Sequence, residues 1–154
     1  MYLIDTNIHA AYILKTYEND KLTQQYVSFY STIALTYRIV PDFILNEFEI
    51  FITRVAPSKY HLTAEQKPQL RQAVFEYIRD IKKSFTLVTT PMEVYKSAFD
   101  IYFLYAKDSY ISFTDSLLLA LARNGGYTLL TKDNRLQTIA KELRIAFYKP
   151  QEEK

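Results

Sequence analysis

Tyr2-Leu3-Ile4-Asp5-Thr6-Asn7 is the stretch from which the rest of the chain can be read. Three apolar residues suit a buried strand, and the polar Asp-Thr-Asn suits the carboxyl end of that strand opening into a helix near Asn7. The pattern then repeats. Lys21 to about Leu35 reads as a helix, Tyr37 to Val40 as a β-branched and aromatic strand stopped by Pro41, and Asp42 as the cap of a helix to about Arg54. Thr63-Ala64-Glu65-Gln66 is a capping-box pattern that starts a helix to about Lys83, ahead of a strand at Phe85 to Val88.

Thr90-Pro91-Met92-Glu93 places proline at the first position of a helix to about Ala106. Ser112-Phe113-Thr114-Asp115 is a further capping box before Leu117 to Ala122, and Gly125-Gly126 supplies the conformations that stop that helix. Tyr127 to Leu130 reads as a strand, Lys132 to Leu143 as a helix, and Arg144 to Tyr148 as a last strand before Pro150. Strands alternating with helices predict a three-layer α/β/α sandwich around a mainly parallel sheet of four to five strands. Ligands are expected beyond the carboxyl ends of its strands.

The chain of 154 residues is the size of one domain, read as 1–150 with a charged tail at 151–154. A domain this long buries roughly 70% of the surface exposed by its unfolded form. Cysteine is absent, which excludes disulfides and thiolate metal sites and leaves oxygen or the two histidines to hold any metal. The histidines, His9 and His61, form no HxxxH-type pair, so zinc is not expected. A carboxylate within five residues of Met1 is unlike a secretory leader, and no apolar run approaches the ~20 residues that span a bilayer, so a cytoplasmic protein is expected. A net charge of +2 does not mark a nucleic-acid binder, so any basic patch must be local.

The acids at the predicted strand ends carry the chemistry. Asp5 follows the first strand, and Asp133 lies three residues after Leu130. Each also has a structural explanation, as helix cap or first-turn acid. Asp115 closes a capping box and sits on the first turn of a very apolar helix. Glu47 shares a helical face with Phe43, Ile44, Ile50, Phe51 and Arg54, so it interrupts apolar residues, whereas Glu49 lies nearly opposite with Asn46 and Thr53. A carboxylate on such a face needs a partner, either a cation or Arg54. Four acids converging on one sheet edge would repel one another unless a divalent ion compensates, and Mg²⁺ or Mn²⁺ suits an all-oxygen site. Metal-bound water is then the natural nucleophile, and if two ions bind about 4 Å apart, one activates the water while the other stabilises the leaving oxygen of a phosphodiester.

Leu3-Ile4-Asp5-Thr6-Asn7, Leu45-Asn46-Glu47-Phe48, Phe113-Thr114-Asp115-Ser116-Leu117 and Leu130-Thr131-Lys132-Asp133, taken in order and spacing, resemble the PIN-domain family, especially its VapC-like toxin ribonucleases. The resemblance spans nearly the whole chain. It implies that Asp5, Glu47, Asp115 and Asp133 form a metal-binding quartet, that Asn7 hydrogen-bonds within the site, and that Thr131 orients the last acid or a metal-bound water. It also implies Mg²⁺- or Mn²⁺-dependent cleavage of RNA, homodimers and, in the toxin branch, a small antitoxin protein. The segment from about Pro57 to Lys83 departs from the compact toxins in being longer and more polar.

Lys132 and Arg135, then Arg38 and Arg123, are the basic residues that could meet phosphates, each with a solvated charge as its alternative. His9 reads as an edge-of-site residue or an ordinary helix position. A haloacid-dehalogenase-type phosphatase would need a second Asp where Asn7 stands. A receiver domain would need an Asp where Thr89-Thr90-Pro91 stands. The remaining alternative is a fold of this kind that binds RNA or serves as a scaffold without cutting.

Overall fold

Leu3 and Ile4 lie on opposite faces of a sheet, and the same alternation holds for Ile39 with Val40 and for Leu129 with Leu130. The computed structural model describes residues 1–151, so positions 152–154 of the expected tail lie outside the described residues. The sheet is wholly parallel: β1 (Tyr2–Ile4), β2 (Arg38–Pro41), β3 (Thr86–Val88) and β4 (Thr128–Leu130) stand in the order β3-β2-β1-β4. Around it run α1 (Thr6–Ile13), α2 (Lys21–Thr32), α3 (Asp42–Ile50), α4 (Ala56–Lys59), α5 (Gln66–Ser84), α6 (Met92–Ser109), α7 (Phe113–Gly125) and α8 (Asn134–Glu142).

Leu3, Ile39 and Leu129 pack with Val94, Ala98 and Ile101 of α6, the apolar face of α7, and Leu136 and Ile139 of α8. Ile4, Val40 and Leu130 pack on the other side with Ile8 of α1, Tyr26 and Tyr30 of α2, Phe48 of α3 and Tyr77 of α5. These are the three expected layers. The polar stretch around α5 is a core element, because its spacing turns Leu70, Val74, Tyr77 and Ile81 inward while charged residues coat the outside. Among the described residues, no helix is long and apolar enough to cross a membrane.

The strand order positions the site. From β1 the neighbours lie on opposite sides, β2 on one and β4 on the other, so the chain's direction of travel across the sheet reverses beside β1. The crevice at such a reversal is where ligands bind in open α/β sheets. Ile4 pairs with Leu130, and the Asp5 N–H donates to the Leu130 carbonyl at 3.0 Å. The residues that follow the two strands, Asp5 and Thr131, are thereby set side by side.

Several expected boundaries differ. Residues 144–148 do not form a strand: only Leu129 and Phe147 form a bridge, backed by Leu129 N–H to Ala146 and Tyr148 N–H to Leu129. The chain enters this segment through Arg144 at φ 57°, and Tyr148 stacks on Phe29 with centroids 3.7 Å apart, which ties it to α2. Pro41 does not stop β2 but pairs with Val88 and occupies the N-cap of α3, leaving Asp42 in the first turn. Pro91 likewise caps α6, while Thr90 donates to Asp42 at 3.0 Å. The helix expected to end near Arg54 continues through a π turn, Phe51–Val55, into α4. Pro57 lacks the N–H that would close an α-helical bond to Thr53, and a wider turn accommodates it. The helix expected to reach Leu35 ends at Thr32, and a 3₁₀ turn, Leu35–Tyr37, leads into β2. Gly126, at φ 63°, ends α7 as expected.

Candidate active site

Asp5 follows β1 at the N-cap position of α1 yet makes no capping bond, and only 6% of its surface is exposed. Its Oδ2 accepts instead from Thr131 Oγ1 at 2.5 Å and from Asn7 Nδ2 at 2.7 Å. Asn7 Nδ2 also reaches Thr131 Oγ1 at 3.0 Å, while Asn7 Oδ1 accepts the Lys132 N–H at 3.0 Å. These bonds tie the β1 and β4 ends together and fix the Asp5 side chain. Burial raises its pKa from 3.8 to about 7; the Thr131 bond opposes the shift, and the Asp115 and Glu47 carboxylates add to it. A carboxyl this costly to ionise is an expected property of a site that meets a cation.

The other three expected acids open on the same cleft, of about 430 Å³, with Asp5. Each has an internal partner. Glu47, half-buried, accepts a short hydrogen bond from Thr6 Oγ1. Asp115 Oδ2 accepts the Ser112 N–H at 2.7 Å while the Asp115 N–H donates to Ser112 Oγ at 3.1 Å, completing the capping box. Asp133 caps α8 through the N–H groups of Arg135 and Leu136 and pairs with the Arg135 guanidinium at 2.7 Å. Burial works to raise the Asp133 pKa, but the bonds from Arg135 outweigh it and hold the group below its usual range. Among the described residues, no three acids, histidines or cysteines form a group that could hold a metal ion. The donor set nonetheless suits a hard divalent ion: every carboxylate in it supplies oxygen, and Asp5 lies next to negative charge without a cation of its own. Binding would require the outer acids to exchange an internal partner for the ion.

The Glu47 face differs from the sequence reading. The helix buries Ile44, Phe48 and Ile52 completely and leaves Ile50 40% exposed, so Glu47 borders the apolar stripe rather than interrupting it. The π turn shifts the register of the face after Phe51. Arg54 makes no ion pair with Glu47 among the described residues and lies instead beside Glu49, Thr53 and Arg71. Glu49 is exposed, as expected.

Thr131 is fully buried and bonds to both the first acid and the last: its hydroxyl donates to the Asp5 side chain and accepts the Asp133 N–H at 3.0 Å. The register of β1 with β4 is the cause. Thr131→Val removes these two bonds and the one from Asn7 Nδ2 while keeping the side chain's shape. We expect it to lower metal affinity roughly 10–100-fold, as removal of outer partners of metal ligands does. Calorimetric Mn²⁺ titration of the folded variant checks this.

The basic residues fall in different places. Lys132 lines the cleft, but its Nζ is held by Glu18 at 2.8 Å and Thr23 at 3.1 Å. Arg135 is committed to Asp133, Arg38 is buried with its guanidinium 4.1 Å from the Tyr30 ring centroid, and Arg123 is exposed near the end of α7. His9 is no edge residue: it is fully buried, its Nδ1 lies 2.7 Å from the Tyr77 hydroxyl, and burial lowers its pKa to about 3, with Arg38 adding to the shift. His61 lies in the turn after α4 at φ 51°. Sequence reasoning did not single out Thr6, Glu18, Phe51 and Lys59 as cleft residues. Thr6 could have been found from its place beside Asp5, while Glu18 and Lys59 carry no local signal.

A family model for the PIN domain matches residues 2–142. The chain belongs to the PIN-domain family. Among solved structures it is similar to the VapC20 toxin of Mycobacterium tuberculosis, at 13% identity and TM-score 0.64 over 90% of this chain and 95% of that one. It is similar to FitAcB from Neisseria gonorrhoeae, at 18% identity and TM-score 0.66 over 97% of this chain and 98% of that one. A toxin–antitoxin complex from Klebsiella pneumoniae contains a chain at 16% identity and TM-score 0.55, over 99% of this chain and 100% of that one. Among curated proteins, none matches the sequence.

Proposed function

We propose that this protein is a divalent-metal-dependent endoribonuclease and the toxin of a toxin–antitoxin pair. The observation that carries the reading is the buried Asp5 carboxyl at a sheet switch point, lining one cleft with Glu47, Asp115 and Asp133, where burial pushes its pKa up to about 7. Asp5, Glu47, Asp115 and Asp133 would hold Mg²⁺ or Mn²⁺. Bound there, the ion would supply positive charge to polarise a phosphodiester and favour attack by water. Asn7 and Thr131 hold the Asp5 side chain in one orientation, and the Lys132 contact with Glu18 joins the end of β4 to the turn before α2. Arg135 pairs with Asp133 until the substrate or the ion replaces it.

RNA as substrate draws support from the family and from VapC20, described as a toxin that cleaves the sarcin–ricin loop. An antitoxin partner draws support from the toxin–antitoxin complex among the similar structures. A homodimer draws support from the exposed apolar side chains of α6, with Phe103 77% and Leu104 65% exposed.

Cleavage of a labelled single-stranded RNA in Mn²⁺ tests the reading, with Glu47→Gln set against Glu49→Gln. We expect Glu47→Gln to slow cleavage at least about tenfold and Glu49→Gln to leave it unchanged, because Glu47 lines the cleft and Glu49 does not. Equal effects of the two would count against the assignment. Binding of RNA without cleavage in either metal would favour the scaffold alternative, in which the internal partners of Glu47, Asp115 and Asp133 are permanent.

A further inference from the structure

Phe51 is the sole aromatic side chain among the described residues lining the acidic cleft. It is half-buried, and the Lys59 ammonium sits over its ring, 5.6 Å from the centroid, and 5.2 Å from that of Tyr60. Eight residues of ordinary α-helix would leave Lys59 roughly 80° round from Phe51, at ~100° per residue. The π residues Phe51–Val55 turn the chain less per residue and bring the two onto one side. The wider turn at Pro57 therefore has a consequence in the cleft: it places a cation on an aromatic face there. π turns of this kind are frequent at functional sites.

The charge pattern around this pair is uneven. Lys132, the other lysine of the cleft, is neutralised by Glu18. Lys59 has no carboxylate within ion-pair distance among the described residues: it feels the Glu18 charge from farther off than Lys132 does, and it rests on the Phe51 and Tyr60 rings. A cleft lined by Asp5, Glu47, Asp115 and Asp133 repels a phosphate backbone, so a chain entering it needs a cation that can move to meet it. A π face beside such a cation has the chemistry that binds single-stranded nucleic acid, because every base can stack and each is joined to a phosphate.

Resting on the nuclease reading above, we propose that Phe51 and Lys59 form a substrate subsite beside the acidic cluster. Phe51 stacks one unpaired base, and Lys59 leaves the ring to contact the adjoining phosphate. The subsite selects single-stranded over paired RNA, since a base within a duplex cannot present its face to the ring.

The test uses the full chain carrying Asp5→Asn and a single-stranded RNA hexamer containing one 2-aminopurine, whose fluorescence is quenched by stacking. Phe51→Leu, which keeps apolar bulk without a π face, is expected to weaken binding about tenfold and to abolish the bound-state quench, while Phe51→Tyr retains both. Lys59→Gln is expected to weaken binding and to reduce the slope of log affinity against log salt by about 0.7, the value for one single-strand phosphate contact. Melting curves establish that each variant is folded. If Phe51→Leu binds and quenches like its parent, or fails while Phe51→Tyr fails equally, the subsite is wrong and the nuclease reading is untouched. If the parent binds no hexamer and the wild type cleaves none, both fail.

Discussion

Asp5→Asn is expected to remove metal-dependent RNA cleavage, by more than the roughly hundredfold that loss of an outer partner costs, while raising the melting temperature of the metal-free protein at pH 8. The two effects have one cause. Folding raises the Asp5 pKa from 3.8 to about 7, so between those values the folded chain binds more protons than the unfolded one. Stability from this group is therefore fully present below pH 3.8 and is lost as pH rises through 7, where ionisation is forced on a buried carboxyl. Asparagine cannot ionise and still offers an oxygen to Thr131 and Asn7. At pH 8 the variant should melt higher by several degrees; at pH 4 the difference should nearly vanish. Scanning calorimetry at both pH values, beside a cleavage assay in Mn²⁺, measures the trade-off. A variant that cleaves like the wild type, or that melts lower at pH 8, would break the link between burial and function at this carboxyl.

Phe48→Ala should have the largest effect on stability, about 3–5 kcal/mol, as for other large buried side chains cut back to alanine. Phe48 is fully buried, with ring centroids 5.8 Å from His9 and 5.6 Å from Tyr77, so it joins α3 to α1 and α5. The cavity would open beside the imidazole of His9, which burial holds neutral and whose Nε2 has no hydrogen-bond partner among the described residues. Whole domains of this kind are stable by only about 5–15 kcal/mol, so the variant should unfold at a much lower urea midpoint. Because Glu47 precedes Phe48, cleavage should fall as well, even where the protein remains folded. A midpoint within error of the wild type would mean that α3 is held by other contacts.

The fold was legible because its signals are local and repeated. Short apolar strands, capping boxes at Thr63 and Ser112, and the glycine pair after α7 each act over a few residues, and the structure contains them. The misplacements share a different cause. Pro41, Pro91 and the 144–148 segment depend on pairing or stacking with residues far along the chain, Val88, Asp42 through Thr90, and Phe29. Local propensity does not encode such contacts.

The acids were legible for the same reason, since Asp5 and Asp133 follow strands. Two partners were legible too, Asn7 for Asp5 and Ser112 for Asp115. The others were not. Thr131 bonds Asp5 because β1 and β4 are neighbours, a fact of strand order that no short motif carries. Arg135 takes Asp133 two residues away, so the residue expected to meet phosphate instead neutralises a site acid. Glu18 and Lys59 reach the cleft from the turn before α2 and the end of α4, with nothing nearby in sequence to mark them. His9 shows the converse: a polar residue close to Asp5 in sequence points into the core, because α1 turns it toward Tyr77.

Binding of a divalent ion by the carboxylates around Asp5 is measured by calorimetric titration of Mn²⁺ at pH 6.5. The wild type should bind with release of protons, visible as a heat that changes with the ionisation enthalpy of the buffer, because burial raises the Asp5 pKa to about 7 and leaves part of it protonated there in the free protein. Asp5→Asn should lose both the binding and the buffer dependence. Absence of Mn²⁺ binding to the folded wild type, or equal binding by Asp5→Asn, would contradict the claim.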